Sequence, residues 1–159
     1  MGSRLRIEMA YIAGFLDGDG SLMLQIKKRK DIKSGIRFMA TICFYQDSRH
    51  SEPLTWIQEK LSTGYISHRN DGMSELRING FSQIKEVLSD LSPFIRFKKV
   101  QAQALLKACT ILEKKRFSSL NEFDLRLLVD CIVEIQSSNY VAKHKKTKNE
   151  LLMILGLTP

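Results

Sequence analysis

The acids of Asp17-Gly18-Asp19-Gly20 are the residues in this sequence best placed to do chemistry. They close the run Tyr11-Ile12-Ala13-Gly14-Phe15-Leu16, and the proline-free stretch from Met9 to Leu16 reads as a helix. Both acids therefore fall at a helix C-terminus, where the negative end of the dipole opposes each by roughly 0.3–1 kcal/mol. They need a compensating partner such as a cation or a second helix, and a divalent metal ion would serve. Gly18 or Gly20 is expected in the left-handed conformation that stops a helix. Asp-Gly-Asp-Gly is also ordinary turn chemistry, and on these residues alone the turn and the metal site both stay open. A calcium loop of the EF-hand type does not. Counted from Asp17 it needs glycine at the sixth position and glutamate at the twelfth, where this chain has Leu22 and Lys28.

The same helix carries a second signal. Ala10, Gly14 and Gly18 recur every four residues, which puts them on one side. A mid-helix glycine costs about 1 kcal/mol against alanine, so the stripe is expected where another backbone, most simply a second helix, approaches closely.

The elements that must hold these residues follow from periodicity. From Ser21 the period changes to two. Leu22, Leu24 and Ile26 alternate with Met23, Gln25, Lys27 and Arg29. After a turn at Lys30–Gly35, Ile36, Phe38, Ala40, Ile42 and Phe44 alternate with Arg37, Met39, Thr41, Cys43 and Tyr45, as in a hairpin with one apolar face. Ser51 and Pro53 mark a helix start, with Leu54, Ile57 and Leu61 inward and Trp56 beside them. Tyr65–Arg69 and Glu75–Asn79 form a second hairpin around Asn70-Asp71-Gly72. Ser82 is expected to cap a helix with Ile84, Val87, Leu88 and Leu91 inward, ended by Pro93. A further helix is expected from about Val100 to Lys115. Another, from Asn121 to Ser138, carries Phe123, Leu127, Val129, Ile132, Val133 and Ile135 as its apolar residues. A short last helix spans Thr147 to Leu155, with Gly156 as its stop.

Two hairpins separated by helices predict an α+β fold with one four-stranded antiparallel sheet and helices on one face. The free face would carry Gln25, Lys27, Arg29, Arg37, Thr41, Ser67, Arg69, Glu75, Arg77 and Asn79. These are groups that hydrogen-bond base edges and phosphates, and the major groove of B-DNA admits a β-ribbon. An RNA-binding sheet would more often display stacking aromatics, and here only Tyr45 and Tyr65 share that face.

Composition agrees. A chain of 159 residues is one domain by size and buries about 70% of the surface it exposes when unfolded. Its formal net charge is +8, clustered at Lys27–Arg37, at Arg96, Lys98 and Lys99, and at Lys143, Lys145, Lys146 and Lys148, which points to a polyanionic partner. Cys43, Cys109 and Cys131 lie among apolar neighbours with no metal spacing and are expected as buried thiols, matching a reducing compartment. No run of membrane length and no secretory signal is read in the sequence. His50, His68 and His144 lie far apart. There is no Cys/His nucleophile pair, and any metal held by the carboxylates would be a hard cation such as Mg²⁺, which fits oxygen ligands better than zinc would.

The run Ile12-Ala13-Gly14-Phe15-Leu16-Asp17-Gly18-Asp19-Gly20 resembles the motif of the LAGLIDADG homing endonucleases, specifically the short single-motif members that act as homodimers. The resemblance continues through both hairpins and Pro93–Ala102, covering roughly Ile7 to Ser138. Residues 140–159 match only in character and are expected as a helical tail of one endonuclease domain spanning 1–159. What the resemblance implies is an αββαββα fold with a saddle-like sheet, its motif helices paired at the dimer axis through Ala10, Ala13 and Gly14 together with Asp17. It implies metal binding by the Asp19 carboxylate and the Gly18 carbonyl, and a catalytic set of Asp19, Gln46 and Lys98 around the attacking water. Asp17 is read as ordering the helix junction. Family members often carry Arg or Lys four residues after Gln46, where this chain has His50 beside Arg49, and the role is left open between them.

The implied partner is a long pseudo-palindromic duplex DNA bound by a homodimer, with neither membrane nor small-molecule cofactor. The implied reaction is a Mg²⁺-dependent double-strand break with short 3′ overhangs. Ca²⁺ is expected to support binding without cleavage, and Mn²⁺ to substitute. The alternative is a relative that binds without cutting, an intron maturase or DNA-binding regulator. Chloroplast, mitochondrion and prokaryotic cytoplasm are all compatible with the sequence.

Overall fold

The computed structural model describes residues 2–139 and 145–159. Its elements are α1 (Ser3–Asp19), β1 (Gly20–Lys28), β2 (Ile36–Asp47), α2 (Glu52–Leu61), β3 (Tyr65–His68), β4 (Met73–Asn79), α3 (Phe81–Leu91), α4 (Lys99–Lys114), α5 (Glu122–Ser138) and α6 (Lys148–Ile154). The strands make one antiparallel sheet in the order β1-β2-β4-β3, in which each hairpin keeps its two strands adjacent and β2 joins β4. Register follows the period of two. Leu22 lies opposite Ile42 and Leu24 opposite Ala40 on one face, while Lys27 lies opposite Arg37 and Tyr45 opposite Glu75 on the other. The even-numbered apolar residues, among them Phe38, Phe44, Leu76 and Ile78, are buried under α1, α3, α4 and α5. Each buried large side chain contributes roughly 1.5–3 kcal/mol, and a one-residue slip would turn all of them to solvent. The hairpin turns close where glycine permits positive φ, at Gly35 (+68°) and Gly72 (+80°).

Several boundaries differ from the sequence reading. α1 starts at Ser3, continues through Gly18, and ends without a left-handed glycine; Gly20 has φ −101° and passes straight into β1. The glycine there is required by space, because a Cβ would come within 2.5 Å of the Leu16 side chain and 2.7 Å of its carbonyl oxygen. Ser82 does not cap α3: Gly80, at φ +96°, occupies the N-cap position and Ser82 lies within the first turn. In α5 the buried apolar residues are Leu128, Val129, Cys131, Ile132 and Ile135, whereas Phe123 is 71% exposed. The Asn121–Asp124 capping box turns Asp124 inward toward Lys115, leaving Phe123 on the outer side of that turn. Cys43, Cys109 and Cys131 are free and buried, and burial pushes the Cys109 thiol up to about 12. α6 follows a capping box of Thr147 with Glu150. Lys143, His144 and the expected start of the tail at 140 lie outside the described residues. No described helix is long and apolar enough to cross a membrane.

Candidate functional site

The acids at the end of α1 have opposite surroundings. Asp17 is buried. Its Oδ2 accepts the backbone N–H groups of Arg96 (2.7 Å) and Phe97 (3.2 Å), and its Oδ1 accepts that of Lys98 (3.0 Å). The Lys98 ammonium returns the connection, donating to the carbonyl oxygens of Leu16 (3.0 Å) and Asp17 (2.5 Å). One carboxylate and one ammonium thus stitch the α1 C-terminus to the segment that enters α4. Burial lowers the Lys98 pKa against the opposing pull of Asp17 and Asp19, so the two acids and this cation share one electrostatic neighbourhood. Asp19 is exposed, and among the described residues its carboxylate accepts no hydrogen bond.

Gln46 is the penultimate residue of β2, half-buried, with its Oε1 accepting the Asp47 N–H at 2.9 Å; no hydrogen bond joins it to Asp19 or Lys98. Its NH₂ donates no hydrogen bond among the described residues. Arg49 is held by Asp47 in a bidentate pair (3.0 and 2.8 Å), and that guanidinium keeps the Asp47 carboxyl below the usual range. His50 is exposed beside it.

Among the described residues no group of three or more His, Cys, Asp or Glu side chains could hold a metal. At the end of α1 the Asp19 carboxylate and the neighbouring Gly18 carbonyl could supply at most a half-site. These hard oxygen donors suit Mg²⁺ or Ca²⁺ but are too few to enclose either.

The odd-numbered strand residues form the sheet's open face. Gln25, Ser67 and Arg77 are half-buried there, and Lys27, Arg37 and Asn79 exposed. Arg29 and Arg69 lie just past β1 and β3 and pair with Asp31 and Asp71 in the turns. Two expected contact residues are placed differently. Thr41 is fully buried, its hydroxyl donating to Asn79 Oδ1 at 3.0 Å. Glu75 is 6% exposed, its Oε1 accepting from Arg77 (2.7 Å) and Ser67 (3.4 Å). Both lie on the central strands β2 and β4, where neighbours on either side cover them, and each is hydrogen-bonded to a residue of the open face, Thr41 to Asn79 and Glu75 to Arg77.

The face expected to pair α1 helices also needs revision. Ala10, Gly14 and Gly18 are exposed on α1, and a Cβ at Gly14 or Gly18 would meet nothing within 4 Å. Ala13 is fully buried in the core and Asp17 is committed to the α4 entry, so neither lies on the open stripe. The stripe instead extends toward the N-terminus through Tyr11 and Ile7, which are 64% and 69% exposed. Beside it a groove of about 720 Å³ is lined by Ile7, Tyr11, Pro53, Thr55 and Trp56, with the Tyr11 and Trp56 rings edge to face at 5.7 Å. The spacing 7, 11, 14, 18 is a coiled-coil-like seam that the small-residue pattern alone did not expose. Phe97, 84% exposed beside Lys98, likewise had no signal in periodicity.

Residues 12–100 match the family model described as LAGLIDADG endonuclease. DNA endonuclease I-CvuI of Chlorella vulgaris is 36% identical over 104 residues, 64% of this chain and 63% of that protein. DNA endonuclease I-CreI of Chlamydomonas reinhardtii is 28% identical over 142 residues, 89% of this chain and 84% of that protein. The chain thus aligns with less than two thirds of the length of the Chlorella relative. Two crystal structures of I-CvuI on DNA, one with Mg and the I-CreI target and one with Ca and its own target, share this fold. Each has a TM-score of 0.80 at 24% identity, covering 98% and 99% of this chain and 96% and 100% of those chains.

Proposed function

The chain belongs to the LAGLIDADG endonuclease family, and from that premise we propose that it is a site-specific DNA endonuclease acting as a homodimer on a long, inverted-repeat duplex target. One observation carries the reading: the only uncommitted acid of the motif, Asp19, stands at the end of an exposed stripe in which two glycines face open space. A mid-helix glycine that nothing in its own chain requires is accounted for by a partner backbone. Pairing the stripe with its copy about a two-fold axis gives an isologous contact and brings the two half-sites together. The same axis repeats the reading face, which is why the target is an inverted repeat.

Asp19 and the Gly18 carbonyl of each chain would hold a divalent ion, for which we propose Mg²⁺. Such an ion supplies Lewis acidity and a water acidic enough to attack phosphorus. The chain's own groups do the positioning. Asp17 fixes the segment carrying Lys98, and the Lys98 ammonium is directed toward the α1 terminus, where it offsets phosphate charge. With one lone pair of its oxygen taken by the Asp47 N–H, Gln46 offers its NH₂ group, suited to orienting a water or phosphate oxygen. Each Asp19 serves one strand, giving a double-strand break with short 3′ overhangs. The sheet reads sequence through Gln25, Lys27, Arg77 and Asn79.

The test is Asp19→Asn. Gel shift in Ca²⁺ is expected to retain the target, and Mg²⁺ is expected to produce neither nicks nor breaks. Normal cutting by this variant would remove Asp19 from the site, and failure of the unaltered protein to shift any duplex would remove the function.

A further inference from the structure

The cations on the sheet do not stop at its open face. Lys27 and Arg37 are direct cross-strand partners, and like charges so placed destabilise a sheet unless something anionic lies over them. β4 pairs with β2 only from Asn79 opposite Thr41 onward, so the start of β2, Ile36 to Ala40, has a free edge. Along that edge runs a groove of about 840 Å³, bounded by Arg37 and Met39 on β2, Gly80 before α3, and Lys114, Lys115 and Arg116 at the end of α4.

The acids nearby are spent. Glu113 is bound to Lys85, and Asp124 is bound to Lys115 at 2.7 Å. Among the described residues, Arg37, Lys114 and Arg116 have no carboxylate partner, and all three are exposed. A lysine at a helix C-terminus has a simple alternative explanation in the dipole, worth a few tenths of a kcal/mol, and charged edges discourage strand pairing. Neither accounts for three unneutralised cations around one groove that continues the line begun by Lys27 and Arg37.

We propose that this groove is a second DNA-binding surface, taking the phosphodiester backbone of the duplex flank where it leaves the reading face. Its ligand is the phosphate itself, held independently of base sequence. The inference rests on the DNA-binding function above, and its test separates the two. The full chain and a Lys114→Gln/Arg116→Gln variant are titrated with a cleavable target in Ca²⁺, by fluorescence anisotropy over a range of salt.

The slope of log K against log salt falls by about 0.9 for each phosphate that the protein no longer neutralises, summed over both subunits. One phosphate per subunit therefore makes the variant's slope shallower by about 1.8. The weakening is expected to be equal on the target and on base-substituted versions, and the charge-conserving Lys114→Arg/Arg116→Lys variant is expected to keep the original slope. An unchanged slope in the Gln variant, or a weakening that depends on base sequence, overturns the groove as a phosphate site while leaving DNA binding intact. A flat salt response from the unaltered protein overturns DNA binding, and the groove with it.

Discussion

Asp17 and Asp19 are two residues apart in one motif, and substituting each by asparagine separates stability from chemistry. The Asp17 carboxylate accepts three backbone N–H groups of the Arg96–Lys98 segment. Asparagine keeps the shape but offers a single acceptor oxygen. If that oxygen retains Arg96 and Phe97, the amide nitrogen faces the Lys98 N–H, donor against donor. Hydrogen bonds to a charged group contribute about 1.5–3 kcal/mol each. Losing one outright and weakening two by removing the charge sums to about 3 kcal/mol. For a chain of this size that is a fall in Tm of roughly 6–12 °C. Asp19 accepts no hydrogen bond among the described residues, so its asparagine variant should stay within about 0.5 kcal/mol of the parent. Thermal unfolding by circular dichroism, metal-free and at one protein concentration, reads both. Faster hydrogen exchange at residues 96–98 in Asp17→Asn alone would accompany the loss. A fall below about 2 °C for Asp17→Asn, or equal falls for both variants, refutes the assignment of Asp17 as the strut beneath Lys98.

Two further outcomes follow. Gly14→Ala adds a methyl group that meets nothing within its own chain, so helix propensity favours the variant by about 1 kcal/mol per copy. Sedimentation equilibrium is nonetheless expected to show weaker dimerisation, and unchanged association would place the interface elsewhere. Lys98 is held below its ordinary pKa of 10.5 chiefly by burial. Between its folded and unfolded values the unfolded chain binds more protons, so stability rises with pH across that window and levels off above 10.5. In Lys98→Met this rise should be lost, so that the Tm difference between parent and variant grows with pH across the window; an identical pH dependence in the two would show that Lys98 is not desolvated.

The sheet was the most legible part of the molecule, because a period of two leaves few arrangements. Once Leu22, Leu24, Ile42 and Phe44 are assigned to the core, their neighbours must face the other way. What local pattern lacked was depth within that face. Thr41 and Glu75 read as surface polar residues but lie on central strands, and burial there depends on sheet order. The α1 stripe of Ala10, Gly14 and Gly18 is visible in the spacing, whereas Ala13, expected at the dimer axis only from the resemblance, faces the core. Asp19 stood out by residue type, whereas the partners of Asp17 lie about 80 positions further along the chain. No window of sequence contains that connection. Phe123 falls outside the core because the inward seam of α5 runs Asp124, Leu128, Cys131 and Ile135, which leaves position 123 on its flank.

The alternation along the strands has an evolutionary corollary. On the proposed function, even positions carry the fold and odd ones meet the DNA, so a lineage is free to drift toward new recognition sites by exchanging Gln25, Lys27 or Asn79 while the hydrophobic interior goes untouched. Thr41 and Glu75 are where that freedom narrows. Each is hydrogen-bonded to a reader, so replacing Asn79 or Arg77 strands a desolvated partner, and retargeting there must proceed by paired substitution.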